Sequence, residues 1–505
     1  MRLLALNRLI SMRRDRRRRP IQSRNGLVTS VAKWKDSPCL QDDNSRREKK
    51  KRYSGPTLPE DIWHHIHSLL PLRDAARVAC VSHSFRRSWG CYPNLTITRE
   101  ALGLGGGEDE MSYEISSDLA RKTDHILQNH SGIGMKALKL EINDFPIFST
   151  SFDLDRWLGI AVGSGVEKLD LWIELHSRDA ALYNFPCSLF KSIRHLKLSN
   201  CAFRPTPGLC SFTSLTFLDL CDVRITGDEL MCILSSSVTL EKLTLMSCHE
   251  LMFLKIPSLL QRLSHLTVDN CINLEVIESK APNLYSFRYI GSLLRLSLGD
   301  SLQNFEIYAS DWDFVDYACE NLPRMLPNLE ALNISSRYVR DALVIPDKFL
   351  HLQLLCIGFF SPDYDYFSLV SLLDACPSLE TFVLYVEPDR VEQESVVGDS
   401  THDLRQILGH LHRNIKDVQI FGFCSARSIV ELTCHILENA KSLECLTLST
   451  SYNCEMVCPY SLSRDMTMEG HKTVLAIERY IVGKVPSTVE LRVVEPCSWC
   501  NALEN

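Results

Sequence analysis

The chain has 505 residues, of which 45% are hydrophobic and 23% charged, a composition typical of globular proteins and sufficient for two or three domains or one extended solenoid. No stretch approaches the roughly 18–20 consecutive apolar residues that a membrane-spanning helix needs, and the first residues lack the pattern of a cleaved secretory signal. The net charge of −7 conceals an asymmetry, because residues 1–52 contain 17 Lys and Arg but only 5 Asp and Glu.

This basic N-terminal segment carries two dense clusters, Arg13–Arg19 and Lys49–Arg52, in sequence that is poor in periodic apolar residues. Such a composition cannot bury enough apolar surface to fold, so we predict a disordered tail over residues 1–53. Basic runs can act as nuclear localisation signals or contact nucleic acid without sequence preference. An equally acceptable interpretation is a solvated tail that no partner recognises specifically.

Three short helices are predicted within Thr57–Trp89. Pro59 has the fixed φ that suits the first position of a helix, and Pro71 ends that helix. The apolar residues between them recur at helical spacing and form one stripe: Ile62, Ile66, Leu69 and Leu70. A second helix follows Pro71, and Phe85 and Trp89, four residues apart, share one face of a third.

The same segment resembles the F-box motif. The resemblance lies in the runs Leu58–Ile62 (LPEDI), Leu69–Leu72 (LLPL) and Asp74–Ala76 (DAA), and in Phe85-Arg86 followed by Trp89. It implies docking on a Skp-type adaptor of cullin-based ubiquitin ligases, with five apolar contact residues. These are Leu58, Pro59, Ile62, Leu70 and Val81. The alternative interpretation is a small helical subdomain that only caps the repeats that follow.

After residue 130 the pattern apolar-x-x-apolar-x-apolar recurs many times. The middle residues of the clearest copies are Leu196, Leu218, Leu243, Leu266 and Phe287, which are 22, 25, 23 and 21 residues apart. A period of about 20–29 with this core indicates leucine-rich repeats. Each copy is predicted to be a strand whose alternate side chains point inward, followed by a return segment. The predicted fold class is therefore α/β: a three-helix N-terminal unit followed by a curved parallel sheet with helical or irregular returns.

Three return segments carry apolar residues at helical spacing, at Tyr366–Ala375, Ser428–Asn439 and Thr473–Val482. Gly103–Glu110 has the composition of a flexible linker, and Met111–His130 could form a helix that bridges to the first repeat. The predicted domains are a disordered basic tail (1–53), an F-box (54–97), a linker with a potential bridging helix (98–130), a leucine-rich repeat domain (131–496) and a C-terminal tail (497–505).

The repeat region carries a second resemblance. The runs His412–Lys416, Phe421–Ser425, Ser442–Leu448 and Val494–Cys497 resemble the C-terminal part of plant F-box/LRR proteins. That family is large and its targets are diverse, so the resemblance implies an architecture and a pathway, and leaves the target open.

Nothing in the sequence indicates an enzyme or a metal site. Phosphate-binding loops, G-x-S-x-G elbows and H-E-x-x-H helices do not occur. Many of the 20 cysteines lie inside apolar repeat segments and are predicted to be reduced. Cys497 and Cys500 lack a second ligand pair at zinc spacing, and the cluster His64, His65 and His67, expected to face solvent in part, is too compact to form a site alone. We predict no catalytic residues, no metal and no cofactor.

These features together predict a substrate-recognition subunit of a Skp–cullin–F-box ubiquitin ligase, located in the nucleus, the cytoplasm or both. The expected partners are the adaptor, the cullin through it, and an unidentified target protein, and neither a membrane nor nucleic acid is expected. Strand alternation places five exposed candidates for target binding on the concave sheet surface. They are Lys197, Asp219, Thr244, Thr267 and Arg288. Two alternatives stay open: a repeat scaffold without ligase function, and a nuclear protein that associates with nucleic acid through its basic tail.

Overall fold

The computed structural model describes residues 59–81, 83–104, 113–130, 134–142, 147–173, 182–186, 192–206, 208, 212–309, 313–337, 339, 343, 345–360, 364–387, 394–397, 404–405, 411–450 and 464–494. Within these ranges no side chain is described at 81, 83–84, 113–116, 147–152, 309, 313 or 464–468. The predicted basic tail, the C-terminal tail, Leu58 and the side chain of Val81 lie outside the described part of the chain.

The first described elements are three short helices, α1 (Glu60–Ser68), α2 (Leu72–Val81) and α3 (His83–Trp89). Two prolines set the limits of α1, as expected from their fixed φ and missing N–H: Pro59 precedes it with φ −52°, and Pro71 follows its C-terminal end. The three predicted helices are thus present.

Eighteen strands are described after these helices. In chain order they are β1 (Asn94–Ile97), β2 (Ala137–Ile142), β3 (Lys168–Ile173), β4 (His195–Ser199), β5 (Phe217–Cys221), β6 (Lys242–Met246), β7 (Phe253–Ile256), β8 (His265–Asp269), β9 (Val276–Ser279), β10 (Ser286–Gly291), β11 (Arg295–Ser297), β12 (Asn304–Ala309), β13 (Ala331–Ser336), β14 (Leu354–Phe359), β15 (Thr381–Tyr385), β16 (Asp417–Phe421), β17 (Cys445–Ser449) and β18 (Glu490–Val494).

Fifteen of these strands form one sheet in which each strand pairs in parallel with the next repeat, in the order β1-β2-β3-β4-β5-β6-β8-β10-β12-β13-β14-β15-β16-β17-β18. The predicted solenoid is therefore confirmed. Along each strand the alternate apolar residues point away from solvent, as with Leu196 and Leu198 in β4 and Leu218 and Leu220 in β5, all 0% exposed. One face of the sheet thus covers the core, and we call the opposite face the open face.

A left-handed residue turns the chain inward at the end of four consecutive central repeats. Asn200, Asp222, Ser247 and Asn270 have φ values of 54°, 51°, 51° and 51°. Asn and Asp tolerate this conformation better than most residues, because their short side chains bond to nearby backbone. The next residue in each copy is buried: Cys201, Val223, Cys248 and Cys271. The position three residues after the last apolar strand residue is thus occupied by a buried side chain in all four copies.

A second, three-stranded sheet was not predicted. It has the order β11-β9-β7 and is built from the return segments of three successive repeats, again with parallel pairing. Its inward residues, Leu254, Ile277 and Leu296, join the same core as the main sheet.

Helices fill other returns: α4 (Tyr113–Asn129), α5 (Ile147–Gly163), α6 (Gly227–Ser236), α7 (Asp313–Met325), α8 (Val370–Asp374), α9 (Arg427–Asn439) and α10 (Arg464–Ala476). The potential bridging helix is present as α4. The three predicted helical returns are also present, the first as a 3-10 turn at Tyr366–Leu369 that continues into α8, and the last as α10 followed by a π-helix at Ile477–Ile481. None of the described helices is long and apolar enough to cross a bilayer.

Candidate interaction surfaces

The helical unit leaves apolar side chains in solvent on one side of α1. Ile62 is 40% exposed and Leu69, at the C-terminal end of α1, is 71% exposed. Pro59 and Pro71 flank them and are exposed as well. Leu70, predicted as a contact residue, is half-buried and packs against the core. Leu69, which sequence reasoning did not select, is the more accessible neighbour.

The other side of α1 is fixed by aromatic packing. The Trp63 and Phe85 rings meet edge to face with centroids 5.0 Å apart. His67, 1% exposed, lies against the rings of Phe85, Trp89 and Tyr92, and its Nε2 is 3.0 Å from the Ala75 carbonyl oxygen. Of the predicted histidine cluster, His65 is exposed and His67 is a core residue. Because this side is packed, Ile62 and Leu69 can only face outward.

Tyr92 joins the helical unit to the first repeat. Its hydroxyl donates a hydrogen bond to the Leu70 carbonyl at 2.6 Å, and its own carbonyl lies 2.9 Å from His130 Nε2 at the end of α4. Burial raises the pKa of the Tyr92 hydroxyl and lowers the pKa of His130. β1 starts two residues later and pairs with β2, so the helices continue directly into the main sheet.

The five predicted target-binding residues form one continuous row across the open face. Lys197 is paired in register with Asp219, Asp219 with Thr244, Thr244 with Thr267, and Thr267 with Arg288. We call this set the central row. Residues that are 21 to 25 positions apart in the chain are thereby brought to neighbouring strands, whose spacing is about 4.8 Å.

The expected exposure of the central row is wrong for two of its members. Asp219 and Thr244 are only 9% and 8% exposed, so both are buried. Both side chains are short and have a register partner on each adjacent strand, and Lys197 Nζ lies 3.4 Å from Asp219 Oδ2. Lys197 and Thr267 are half-buried, and Arg288 is exposed beside Glu306, with an Nη1–Oε1 distance of 3.5 Å. The charges of this row are therefore largely compensated within the sheet.

Asp170 extends the central row on β3, opposite Lys197. Burial raises the pKa of its carboxyl group, and the ammonium groups of Lys197 and Lys139 oppose that change without cancelling it. The Asp170 carboxyl group is therefore a partly buried member of the central row, next to Lys197.

Two further rows lie on either side of the central row, and sequence reasoning did not select them. The leading row, at the first position of each strand, contains Lys168, His195, Phe217, Lys242 and His265. The trailing row, two residues after the central row, contains Trp172, Ser199, Cys221, Met246, Asp269 and Ile290. Strand alternation alone would have found both, because they share the face of the central row.

Among the described residues, no group of three or more His, Cys, Asp or Glu residues is placed to hold a metal ion. No disulfide links the cysteines in this part, and many of them are buried in the repeat core. Burial raises the pKa of the Cys201 thiol to about 12, so it is protonated and unreactive at neutral pH. The candidate sites of this protein are therefore two surfaces: the exposed apolar side of α1 and the open face of the main sheet.

Comparison with known proteins defines the class. The F-box domain model matches residues 56–91, which cover α1, α2 and α3. The model described as At1g61320/AtMIF1, LRR domain, matches residues 126–498, about three quarters of the chain. The chain therefore belongs to the F-box/LRR-repeat proteins with this type of repeat domain. The matched ranges overlap the predicted F-box (54–97) and repeat domain (131–496), whose exact limits stay predictions.

Several relatives come from Arabidopsis thaliana. F-box/LRR-repeat protein At5g02910 is 25% identical over 303 residues, which cover 56% of this chain and 60% of that protein. F-box/FBD/LRR-repeat protein At3g26920 is 28% identical over 194 residues, or 37% of this chain and 40% of that protein. The chain thus aligns with less than two thirds of either relative. F-box/FBD/LRR-repeat protein At1g13570 is 22% identical over 409 residues, covering 78% of this chain and 90% of that protein.

The chain is also similar to proteins of known structure, of which we describe one. An internalin of Listeria monocytogenes is 14% identical and covers 75% of this chain and 94% of its own, with a TM-score of 0.34. At that score the similarity adds nothing to the fold described above.

Proposed function

We propose that this protein is the substrate-recognition subunit of a Skp–cullin–F-box ubiquitin ligase. The observation that carries the proposal is the exposed apolar pair Ile62 and Leu69 on the F-box helices, 40% and 71% exposed. Apolar side chains that project from a well-packed helical unit mark a surface that is completed by a partner. In an F-box protein, the partner of this surface is the Skp-type adaptor.

The proposed adaptor contact combines the sequence prediction with the packing. Leu58, Pro59, Ile62, Leu70 and Val81 stay candidate contacts, and Leu69 is added to them. Burial of apolar surface contributes roughly 25 cal/mol per Å2, so a fully covered leucine or isoleucine contributes about 1.5–3 kcal/mol. Since Leu70 already packs against the core, a substitution there would act on folding as well as on docking.

The open face supplies the second half of the proposed function. It is a long surface of parallel strands that carries three rows of side chains, and the helices that would hold the adaptor lie next to its first strand. A chain that binds the adaptor and a target together raises the effective concentration of the target near the ubiquitin-loaded enzyme. In this proposal the chain itself performs no chemistry, needs no cofactor, and acts in the nucleus, the cytoplasm or both.

Capture of a Skp-type adaptor tests the proposal. The purified full chain should retain the adaptor on beads, and the double variant Ile62→Asp/Leu69→Asp should reduce capture about 30-fold, because central apolar contacts contribute about 2 kcal/mol or more to binding. Leu350→Asp is the matched control, since Leu350 is 59% exposed but lies among the repeats. Failure of the wild-type chain to capture the adaptor would overturn the proposal and leave a repeat scaffold. Equal capture by the docking variant would also overturn it.

A further inference from the structure

The leading row is the one strip of the open face in which positive charge is left uncompensated by the described residues. Its five members are successive register partners: Lys168 pairs with His195, His195 with Phe217, Phe217 with Lys242, and Lys242 with His265. Lys168 and Lys242 are exposed, and neither has a carboxylate within 4.0 Å among the described residues. The row itself contains no acidic residue. By contrast, Lys197 and Arg288 in the central row already face Asp219 and Glu306.

Two rings lie between the two ammonium groups. His195 and Phe217 stack with centroids 5.8 Å apart and ring planes inclined by 27°. Lys242 Nζ lies 5.5 Å from the centroid of the Phe217 ring, a cation–π distance. The row thus presents, in order, a cation, a flat half-buried ring pair and a second cation, with His265 beyond it.

The edge of the sheet next to this row carries one net negative charge. Arg194 lies 3.7 Å from Glu167, so these two charges offset each other. Glu241 is exposed, and it faces His195 from the same edge. The edge therefore offsets one of the two lysine charges and leaves the row with a net positive charge.

We infer that the leading row binds an extended acidic segment of the target protein, with two carboxylates four residues apart and an apolar side chain midway between them. This inference rests on the proposed function, since it names what the open face recognises. One carboxylate meets Lys168, the other meets Lys242, and the central side chain covers the stacked His195 and Phe217 rings.

The spacing of the strands sets the spacing of the segment. Lys168 and Lys242 are three strands apart, which corresponds to about 14 Å at roughly 4.8 Å per strand. Four residues of an extended peptide span about 13 Å, and residues i, i+2 and i+4 point to the same side. An extended segment that crosses the strands therefore matches the row with the pattern acidic-x-apolar-x-acidic.

Both cations of the row are lysines, which act on an anion as compact point charges without the planar fork of arginine. Aspartate and glutamate are the anionic side chains that a protein segment carries without modification. We therefore expect aspartate or glutamate at both ends of the bound segment.

Fluorescence anisotropy with a labelled peptide tests this inference. The probe is a peptide with the core Glu-Thr-Leu-Thr-Glu in a Gly/Ser context, titrated with the full-length protein. Binding should weaken at least tenfold in Lys168→Glu/Lys242→Glu. It should be unchanged in Lys255→Glu/Lys280→Glu, which makes the same change of charge at two exposed lysines, one within β7 and one directly after β9.

A peptide of the same composition, Glu-Thr-Glu-Thr-Leu, tests the spacing on the wild-type protein without any substitution. It should bind at least fivefold more weakly, because it cannot meet both lysines and the ring pair together. No detectable binding of the first peptide at millimolar concentration, equal binding of both peptides, or equal loss in both lysine double variants would overturn the inference.

The two proposals fail separately. Lys168→Glu/Lys242→Glu should capture the adaptor like the wild-type chain, and Ile62→Asp/Leu69→Asp should bind the peptide normally. Adaptor capture without peptide binding overturns only the acidic-segment inference. Peptide binding without adaptor capture overturns only the ligase proposal.

Discussion

At the scale of single residues, the connection between the F-box helices and the repeats depends on Tyr92. Its ring packs against His67 and Trp89, and its hydroxyl and carbonyl groups reach Leu70 and His130. These contacts bridge positions 22 and 38 residues away from Tyr92 in the chain. Under the proposed function, a joint of this kind would fix where a bound adaptor sits relative to the open face.

His130 makes this joint sensitive to pH. Burial lowers the pKa of His130 below its ordinary value of 6.5, although the hydrogen bond to the Tyr92 carbonyl acts in the opposite direction. The unfolded chain therefore takes up this proton first, and the stability that depends on the neutral ring is lost as pH falls from about 7 through the folded pKa.

We expect His130→Gln to lower the melting temperature slightly at pH 7.5 and to reduce its fall between pH 7.5 and 5.5. In large domains 1 kcal/mol corresponds to about 2–4 °C, so the difference is measurable by differential scanning fluorimetry. His125→Gln, an exposed position on the same helix, is the control and should follow the wild-type pH profile. A wild-type slope in His130→Gln would contradict the assignment.

Burial of the central row and exposure of Leu69 could not be predicted from the sequence. Strand alternation identifies which face a residue occupies, and it placed Lys197, Asp219 and Arg288 on the open face correctly. How much of a side chain is covered depends on its neighbours on adjacent strands, which lie more than twenty positions away in the chain. Similarly, the choice between Leu69 and Leu70 depends on how α1 packs on α3.

At the scale of elements, the central strands follow from the sequence because their inward residues Leu196, Leu218, Leu243, Leu266 and Phe287 repeat every 21 to 25 positions. The second sheet does not, because β7, β9 and β11 are only three or four residues long and pair between repeats. Such short segments are stabilised by lateral pairing and by a shared core, and not by a local pattern strong enough to identify them.

The return between β5 and β6 packs tightly against β7. Thr226 and Glu229 form a capping box at the start of α6, with Glu229 N to Thr226 Oγ1 at 3.3 Å and Thr226 N to Glu229 Oε2 at 2.8 Å. Gly227 then passes so close to β7 that a Cβ atom would lie 2.6 Å from the Phe253 carbonyl oxygen and from its ring. Only glycine fits without a shift of α6 or β7.

Gly227→Ala should therefore destabilise the protein by about 1–3 kcal/mol, as overpacking of a filled core does. The measurement is the shift in the urea midpoint followed by circular dichroism. Gly159→Ala is the matched control, because that glycine lies inside α5 with nothing within 4 Å of the new Cβ. Alanine there should be neutral or stabilise by up to about 1 kcal/mol. Equal destabilisation by the two substitutions would show that the close approach of α6 to β7 is not the cause.

At the scale of the whole molecule, the F-box helices and fifteen parallel strands form one continuous body. Each strand contacts mainly its neighbours, as expected of repeat proteins. This architecture separates two tasks. The helices at one end expose a small apolar surface, which we propose for the adaptor, and the sheet extends away from them as a surface on which charge and shape vary along the rows. Substitutions on one surface are therefore expected to leave the other intact.

The central claim is that the chain brings a bound target protein to a ubiquitin ligase. It is tested most directly by ubiquitin transfer to the chain itself in a reaction with adaptor, cullin, RING subunit and loaded conjugating enzyme. We predict that the wild-type chain and Lys168→Glu/Lys242→Glu are modified at similar rates, whereas Ile62→Asp/Leu69→Asp is modified at least tenfold more slowly. Modification of the docking variant at the wild-type rate, or of the wild-type chain no faster than without cullin, would contradict the claim.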